Sequence, residues 1–215
     1  MTVNFDFIKE IKKHKNFQLS KTRFLIVTKN QSIEDIRQLL DSGHRLFGEN
    51  RVQEAIQKFE NINNLNYPEL ELHLIGPLQT NKIKVALGLF DTIQSIDRSK
   101  LIDLISIQMK EKAVKTKNFF LQINIGNEEQ KSGIPPEDAE YFYKYATDKL
   151  LNVCGLMCIP PINKDPETFF TMMDKLRFKI DKNLLLSMGM SSDYEIALRC
   201  KTDLVRIGSK IFQCN

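Results

Sequence analysis

Apolar runs short enough to be single strands alternate with amphipathic stretches along almost the whole chain, and this alternation restricts the fold more than any one motif does. The first run is Phe24-Leu25-Ile26-Val27-Thr28-Lys29. Its four consecutive apolar residues, two of them β-branched, suit a strand buried on both faces of a parallel sheet. Behind it, Ser32-Ile33-Glu34-Asp35 resembles a capping box, and Ile33, Ile36 and Leu40 form the stripe of a helix that Gly43 can end. Further strands are predicted at Arg45 to Asn50, Leu70 to Ile75, Asp91 to Ile96, Phe119 to Ile125, Val153 to Ile159, Leu184 to Ser187 and Leu204 to Ile207. The helices between them run from Arg51 through Phe59, Lys82 to Leu89, Ser99 to Lys115, Glu137 to Leu150, Pro166 to Lys179 and Ser192 to Cys200. Eight strands with seven intervening helices predict an α/β chain folded as a single TIM-type (β/α)₈ barrel, one domain over residues 1–215 with no carboxyl-terminal β-domain. The residues after Ile207 are too few for an eighth helix. An extra amino-terminal helix at residues 5–14, with Phe5, Ile8 and Ile11 on one face, is therefore expected to cover the seam between the last and first strands.

Composition removes several classes of function. The 215 residues are 42% hydrophobic, enough for a large core, yet contain neither a signal peptide nor a run long enough to span a bilayer, so cytoplasmic residence is expected. Cys154, Cys158, Cys200 and Cys214 lack metal-ligand spacing and read as reduced thiols. Cys154 and Cys158 share strand parity and are expected to pack as small apolar groups. With only His14, His44 and His73, scattered along the chain, no zinc site is expected. The net charge is +4, but the one dense basic cluster, Lys9 to Lys15, lies on an amphipathic helix and reads as a solvated face, so no nucleic-acid partner is expected.

In such barrels chemistry sits at the carboxyl ends of the strands, and phosphate is commonly held after strands seven and eight. Lys29 ends the first strand, with Val27 and Leu25 on its side and Thr28, Ile26 and Phe24 on the other. An amine on that apolar seam would lose solvation and gain nucleophilic character, as a Schiff-base lysine requires; an ordinary strand-end lysine is the plainer alternative. The loops after strands seven and eight, Ser187-Met188-Gly189-Met190-Ser191 and Gly208-Ser209, combine glycine with hydroxyls suited to an anion. As ordinary turns they would use Ser191 or Ser192 as a helix cap. Arg206 shares the side of Gly208 and must meet an acceptor, either a carboxylate on a neighbouring strand or an atom of a bound cofactor. Asn50 could cap the next helix, His73 could be a hydrogen-bonded core residue, and Lys131-Ser132-Gly133 could be a mobile flap or a plain surface turn.

Taken in order, these pieces carry a family resemblance. Val27-Thr28-Lys29, Phe47-Gly48-Glu49-Asn50 with Val52-Gln53-Glu54, and His73-Leu74-Ile75-Gly76-Pro77-Leu78-Gln79 with Asn81-Lys82 supply the first half. Gln122-Ile123-Asn124 with Lys131-Ser132-Gly133, Gly155-Leu156-Met157, Ser187-Met188-Gly189-Met190-Ser191 and Val205-Arg206-Ile207-Gly208 supply the second. Together they resemble the pyridoxal phosphate homeostasis proteins, relatives of the amino-terminal barrel of alanine racemase. The resemblance implies pyridoxal 5'-phosphate as cofactor, held as a Schiff base on Lys29. It implies phosphate contacts from Ser187, Gly208 and Ser209, with Met188 in the same loop. It places Arg206 at the pyridine nitrogen and Asn50 and His73 near the cofactor. Departures are Leu72 where tryptophan is frequent, Ser209 for threonine and Gln213 for glycine. Alanine racemase has an opposing tyrosine from a further domain, and none stands in these motifs. The resemblance therefore implies a binding protein of vitamin B6 balance that buffers pyridoxal phosphate or delivers it to apo-enzymes, and a monomer is the default expectation. An amino-acid racemase of low efficiency is the alternative.

Overall fold

The computed structural model describes residues 2–14, 17, 22–63 and 67–213, so Lys15 and Cys214 lie outside it. Eight parallel strands close into a barrel: β2 (Arg23–Val27), β3 (Leu46–Glu49), β4 (Glu71–Leu74), β5 (Thr92–Ile96), β6 (Asn118–Ile123), β7 (Val153–Cys158), β8 (Leu185–Ser187) and β9 (Leu204–Ile207). Closure is made at β2, where Ile26 is in register with Phe47 on one side and with Ile207 on the other. Two-residue strands β1 (Thr2–Val3) and β10 (Phe212–Gln213) pair antiparallel outside the barrel. The helices are α1 (Phe5–Lys13), α2 (Ile33–Asp41), α3 (Val52–Asn63), α4 (Ile83–Leu89), α5 (Ser99–Glu111), α6 (Ala139–Asp148), α7 (Pro166–Ile180) and α8 (Tyr194–Arg199).

The alternation predicted for the first strand holds. Phe24 and Ile26 face outward into the large core shared with the helices, while Leu25 belongs to a separate interior cluster with Leu46 and Leu204, against which Val27 and Ile75 pack. Ser32 caps α2 by accepting the amide of Asp35, and its own hydroxyl donates to the Asp35 carboxylate. Helix α1 lies where an eighth barrel helix would. Its buried Phe7, Ile8 and Ile11 enter the main core, Phe7 meets the Tyr194 ring of α8 edge-on at 5.9 Å, and β1, just before it, touches α2. The basic residues Lys9, Lys12 and Lys13 point away from that core and are exposed.

Several predicted boundaries shift by a few residues, and three of these shifts have a visible structural cause. Helix α5 stops at Glu111 because the following segment returns to α4, where Lys115 and Thr116 donate their amides to the Leu87 carbonyl. Helix α6 begins after a 3₁₀ turn at Pro136–Asp138, and α8 begins after a turn in which Asp193 accepts the Met190 amide. Parity also fails once. Phe119 pairs with Val153 but Phe120 with Gly155, so Cys154 is an extra residue in a bulge. Cys154 consequently lines the barrel interior while Cys158 joins the outer core, and burial pushes the Cys158 thiol up to about 12.

His44, before β3, is wedged edge-on against Phe24 and Phe47 and donates to the Leu46 carbonyl at 2.7 Å. Burial lowers its pKa from 6.5 to about 4. A lowered histidine pKa means that the unfolded chain binds the proton first, so its contribution is complete above pH 6.5 and is lost as pH falls toward 4. The urea midpoint should drop across this window, by a loss on the order of 3 kcal/mol, and the drop should shrink in a His44→Gln variant. An unchanged pH slope in that variant would remove His44 as the cause.

Candidate functional site

Barrels of this type usually fill their interior with branched apolar side chains. Here much of the interior is polar. Arg206 on β9 donates to Ser187 Oγ on β8 at 2.8 Å, and Ser187 donates to Gln94 Oε1 on β5 at 2.6 Å. The Gln94 amide then meets His73 Nδ1 on β4 at 2.7 Å, and His73 Nε2 meets Glu71 Oε1 at 2.6 Å. Burial lowers the His73 pKa against the pull of Glu71, which leaves the ring neutral with its proton on Nε2 and Nδ1 accepting. Every link therefore donates in the same sense, from the Arg206 cation toward the Glu71 anion. Burial opposes ionisation of Glu71, yet the bonds from His73 and Arg23 hold its carboxyl at about 2. Beside the lower end of this column lies a cavity of about 340 Å³ bordered by Arg23, Glu71, His73, Asn118, Phe120 and Cys154.

A second cavity of about 340 Å³ opens at the carboxyl ends of the strands. Val27, Ile75 and Ile159 form its apolar wall, and Lys29, Asn50 and Arg206 supply its polar groups. Ser191 and Ser192 face it from the turn before α8, and Gly208 and Ser209 from the turn after β9. Arg206 is almost fully buried and touches only neutral acceptors, Ser187 Oγ and the Cys158 carbonyl, the latter at 2.8 Å. The carboxylate partner considered for it is absent among the described residues. Asn50 does not cap α3: its Oδ1 is buried without a partner. The Asn50 backbone is held by the close approach of Gly76, where a Cβ would stand 2.2 Å from the Asn50 carbonyl oxygen.

Five of the eight residues expected at the site, Lys29, Asn50, Arg206, Gly208 and Ser209, border this one cavity. Three do not. The Ser187 hydroxyl is spent between Gln94 and Arg206, so it supports the cavity from below. The Met188 side chain turns into the outer core and its amide donates to the Leu204 carbonyl. His73 belongs to the column and the lower cavity. Lys29 itself is exposed, so the apolar seam beneath it does not strip its amine of water. The turn amides of Ser191, Ser192 and Ser209 meet no acceptor among the described residues, which leaves three N–H donors and three hydroxyls for an anion. Lys131-Ser132-Gly133 is a pinned turn: Gln122 Nε2 donates to the Ser132 carbonyl and Lys131 Nζ to that of Pro160. Gln94 was not visible as a site residue, although an amide inside an otherwise apolar strand is a signal that it faces a polar interior. No group of three potential metal ligands occurs among the described residues, and no described helix is long and apolar enough to cross a membrane.

Breaking the column should be costly even far from the upper cavity. Gln94→Leu leaves buried His73 Nδ1 without a donor and the buried Ser187 hydroxyl without an acceptor, and denaturation at neutral pH should show a loss of about 2–3 kcal/mol. Ser209→Ala, at an exposed turn, should stay within about 0.5 kcal/mol of the parent. Equal midpoints for the two variants would show that the column carries no stability.

Comparison with known proteins agrees with this fold. Residues 8–215 match the family described as alanine racemase, N-terminal domain. The pyridoxal phosphate homeostasis protein of Pasteurella multocida is 39% identical over 204 residues, covering 90% of this chain and 86% of the relative. That of Aquifex aeolicus is 35% identical over 202 residues, covering 88% and 86%. PipY of Synechococcus elongatus, solved without PLP, superposes with a TM-score of 0.86 at 29% identity, covering 97% of this chain and 99% of PipY. The structure of PipY with PLP bound gives 0.82 at 27% identity, with the same coverage. A closed barrel with these strand-end motifs, matched along nearly its whole length by such relatives, belongs to the alanine racemase N-terminal domain family, among the pyridoxal phosphate homeostasis proteins.

Proposed function

We propose that the upper cavity binds pyridoxal 5'-phosphate and that the protein holds and hands on this cofactor, serving vitamin B6 homeostasis. The observation that carries the reading is the convergence of an amine, a buried guanidinium and two hydroxyl-bearing turns on one cavity with an apolar wall. These groups fit the cofactor's aldehyde, ring nitrogen, phosphate and ring face respectively. The Lys29 amine adds to the aldehyde carbon, and loss of one water leaves the carbon–nitrogen double bond of a Schiff base. Ser191, Ser192, Gly208 and Ser209 receive the phosphate. Arg206 faces the pyridine nitrogen, and the unpartnered Asn50 Oδ1 is an acceptor at the rim. The relatives named above carry the homeostasis function in their names, and PipY has been solved with PLP bound.

Several features favour holding over turnover. A guanidinium keeps the ring nitrogen unprotonated, which weakens the ring as an electron sink. Among the described residues, no tyrosine borders the cavity to serve as an acid opposite Lys29. Because Lys29 is exposed, water can reach the Schiff base and reverse it, as handing on requires. The reading makes the protein a cytoplasmic monomer that supplies PLP-dependent apo-enzymes.

The test is the visible spectrum of the protein mixed with pyridoxal phosphate, followed by borohydride reduction and peptide mapping. A yellow species trapped on Lys29 and lost in Lys29→Ala is expected, with L-alanine racemised no faster than by that variant. Adduct spread over surface lysines would overturn the site. Racemisation well above the Lys29→Ala level would instead establish the racemase alternative.

A further inference from the structure

Lys29 is flanked by a buried ionic cluster that the cavity does not use. Lys58, on α3, is 7% exposed, and its ammonium reaches the Thr28 carbonyl at 2.6 Å, Glu49 Oε1 at 3.0 Å and Glu54 Oε1 at 2.6 Å. These contacts match the three donors of an ammonium. Glu49 Oε1 also accepts from the Thr28 hydroxyl at 2.6 Å, and Glu54 Oε1 accepts the Asn30 amide. The main chain is thus gripped at the carbonyl just before Lys29 and at the amide just after it. Asn30 is held there in the left-handed region, at φ 60°.

As a stabilising device the cluster is poorly built. One carboxylate and one ammonium are brought out of water together, Glu54 stays partly open to solvent, and Glu49, whose side chain is fully buried, keeps Oε2 without a partner. Burial pushes the Glu49 carboxyl above its ordinary value despite the nearby Thr28 and Lys58. Apolar packing of similar volume often stabilises a core as well as or better than such a group. What apolar packing cannot do is hold a carbonyl and an amide in place.

We propose that Glu49, Glu54 and Lys58 form a clamp on the outer face of the barrel that positions Lys29, fixing the two flanking peptides so that its amine is presented to the cavity mouth. The clamp rests on the cofactor reading given above. Its members are positioning residues, since none borders the cavity.

The experiment compares the parent with Glu54→Gln and with the paired substitution Glu49→Gln/Lys58→Met, which leaves no lone buried charge. Two ligands are titrated: pyridoxal phosphate, and pyridoxine phosphate, whose alcohol cannot react with an amine. The rate of adduct formation at Lys29 is followed by borohydride trapping, well below the unfolding temperature of each cofactor-free protein. The paired variant should form the adduct about tenfold more slowly, and Glu54→Gln less severely, while affinity for pyridoxine phosphate stays within about twofold. Equal losses for both ligands would mean that the cavity itself has deformed and would overturn the clamp, as would an unchanged trapping rate. If the paired variant does not fold, Glu54→Gln decides by the same comparison. A parent protein that forms no Lys29 adduct would overturn the cofactor reading itself, whereas adduct formation in the parent with unaffected variants would overturn the clamp alone.

Discussion

The guanidinium of Arg206 has to be solvated by the barrel, because it is almost wholly removed from water and touches no carboxylate among the described residues. A charge in that position is tolerable only if its environment is already polarised toward it. The column through Ser187, Gln94 and His73 to Glu71 provides this, since each member donates away from the cation and the sequence ends on an anion. The polar interior is therefore a consequence of placing an arginine at the floor of the upper cavity. The same strands carry an outer layer of conventional hydrophobic packing, so the barrel owes its closure to one face and its chemistry to the other.

Two different supports thus converge on one cavity. From below, the column fixes the direction of Arg206. From outside, the cluster around Lys58 fixes the chain on both sides of Lys29. The loops that face the cavity are held by short local bonds, such as that from the Met190 amide to Asp193, and leave their serine amides without acceptors among the described residues. Rigid supports beneath an exposed amine suit the proposed function, in which a reactive aldehyde is captured and later released. Burying the amine would favour capture at the expense of release.

Much of the fold was legible in the residues, and for a local reason. The runs that became β2 to β9 are short, apolar and closed by turn residues, and the stripes that became α1 to α8 have helical spacing; both properties are decided by neighbours along the chain. The seam-covering helix was legible because an eight-stranded barrel with seven intervening helices leaves one groove to fill. Cys154 was misjudged because one inserted residue reverses facing, and a bulge leaves no mark in composition.

For the site, the sequence by itself determined the residue types at the strand ends: Lys29 closing β2, Arg206 on β9, and glycine with serine in the last two turns. Tertiary structure alone decided which of them meet. Ser187 and Ser191 look equivalent in the chain, yet strand register turns the first toward Gln94, a residue 93 positions away, and leaves the second facing the cavity. His73, Gln94 and Lys58 took their roles in the same way, from partners on other elements. Side-chain periodicity is a property of one strand, whereas the partner across a barrel is set by closure, register and bulges, which no single segment contains.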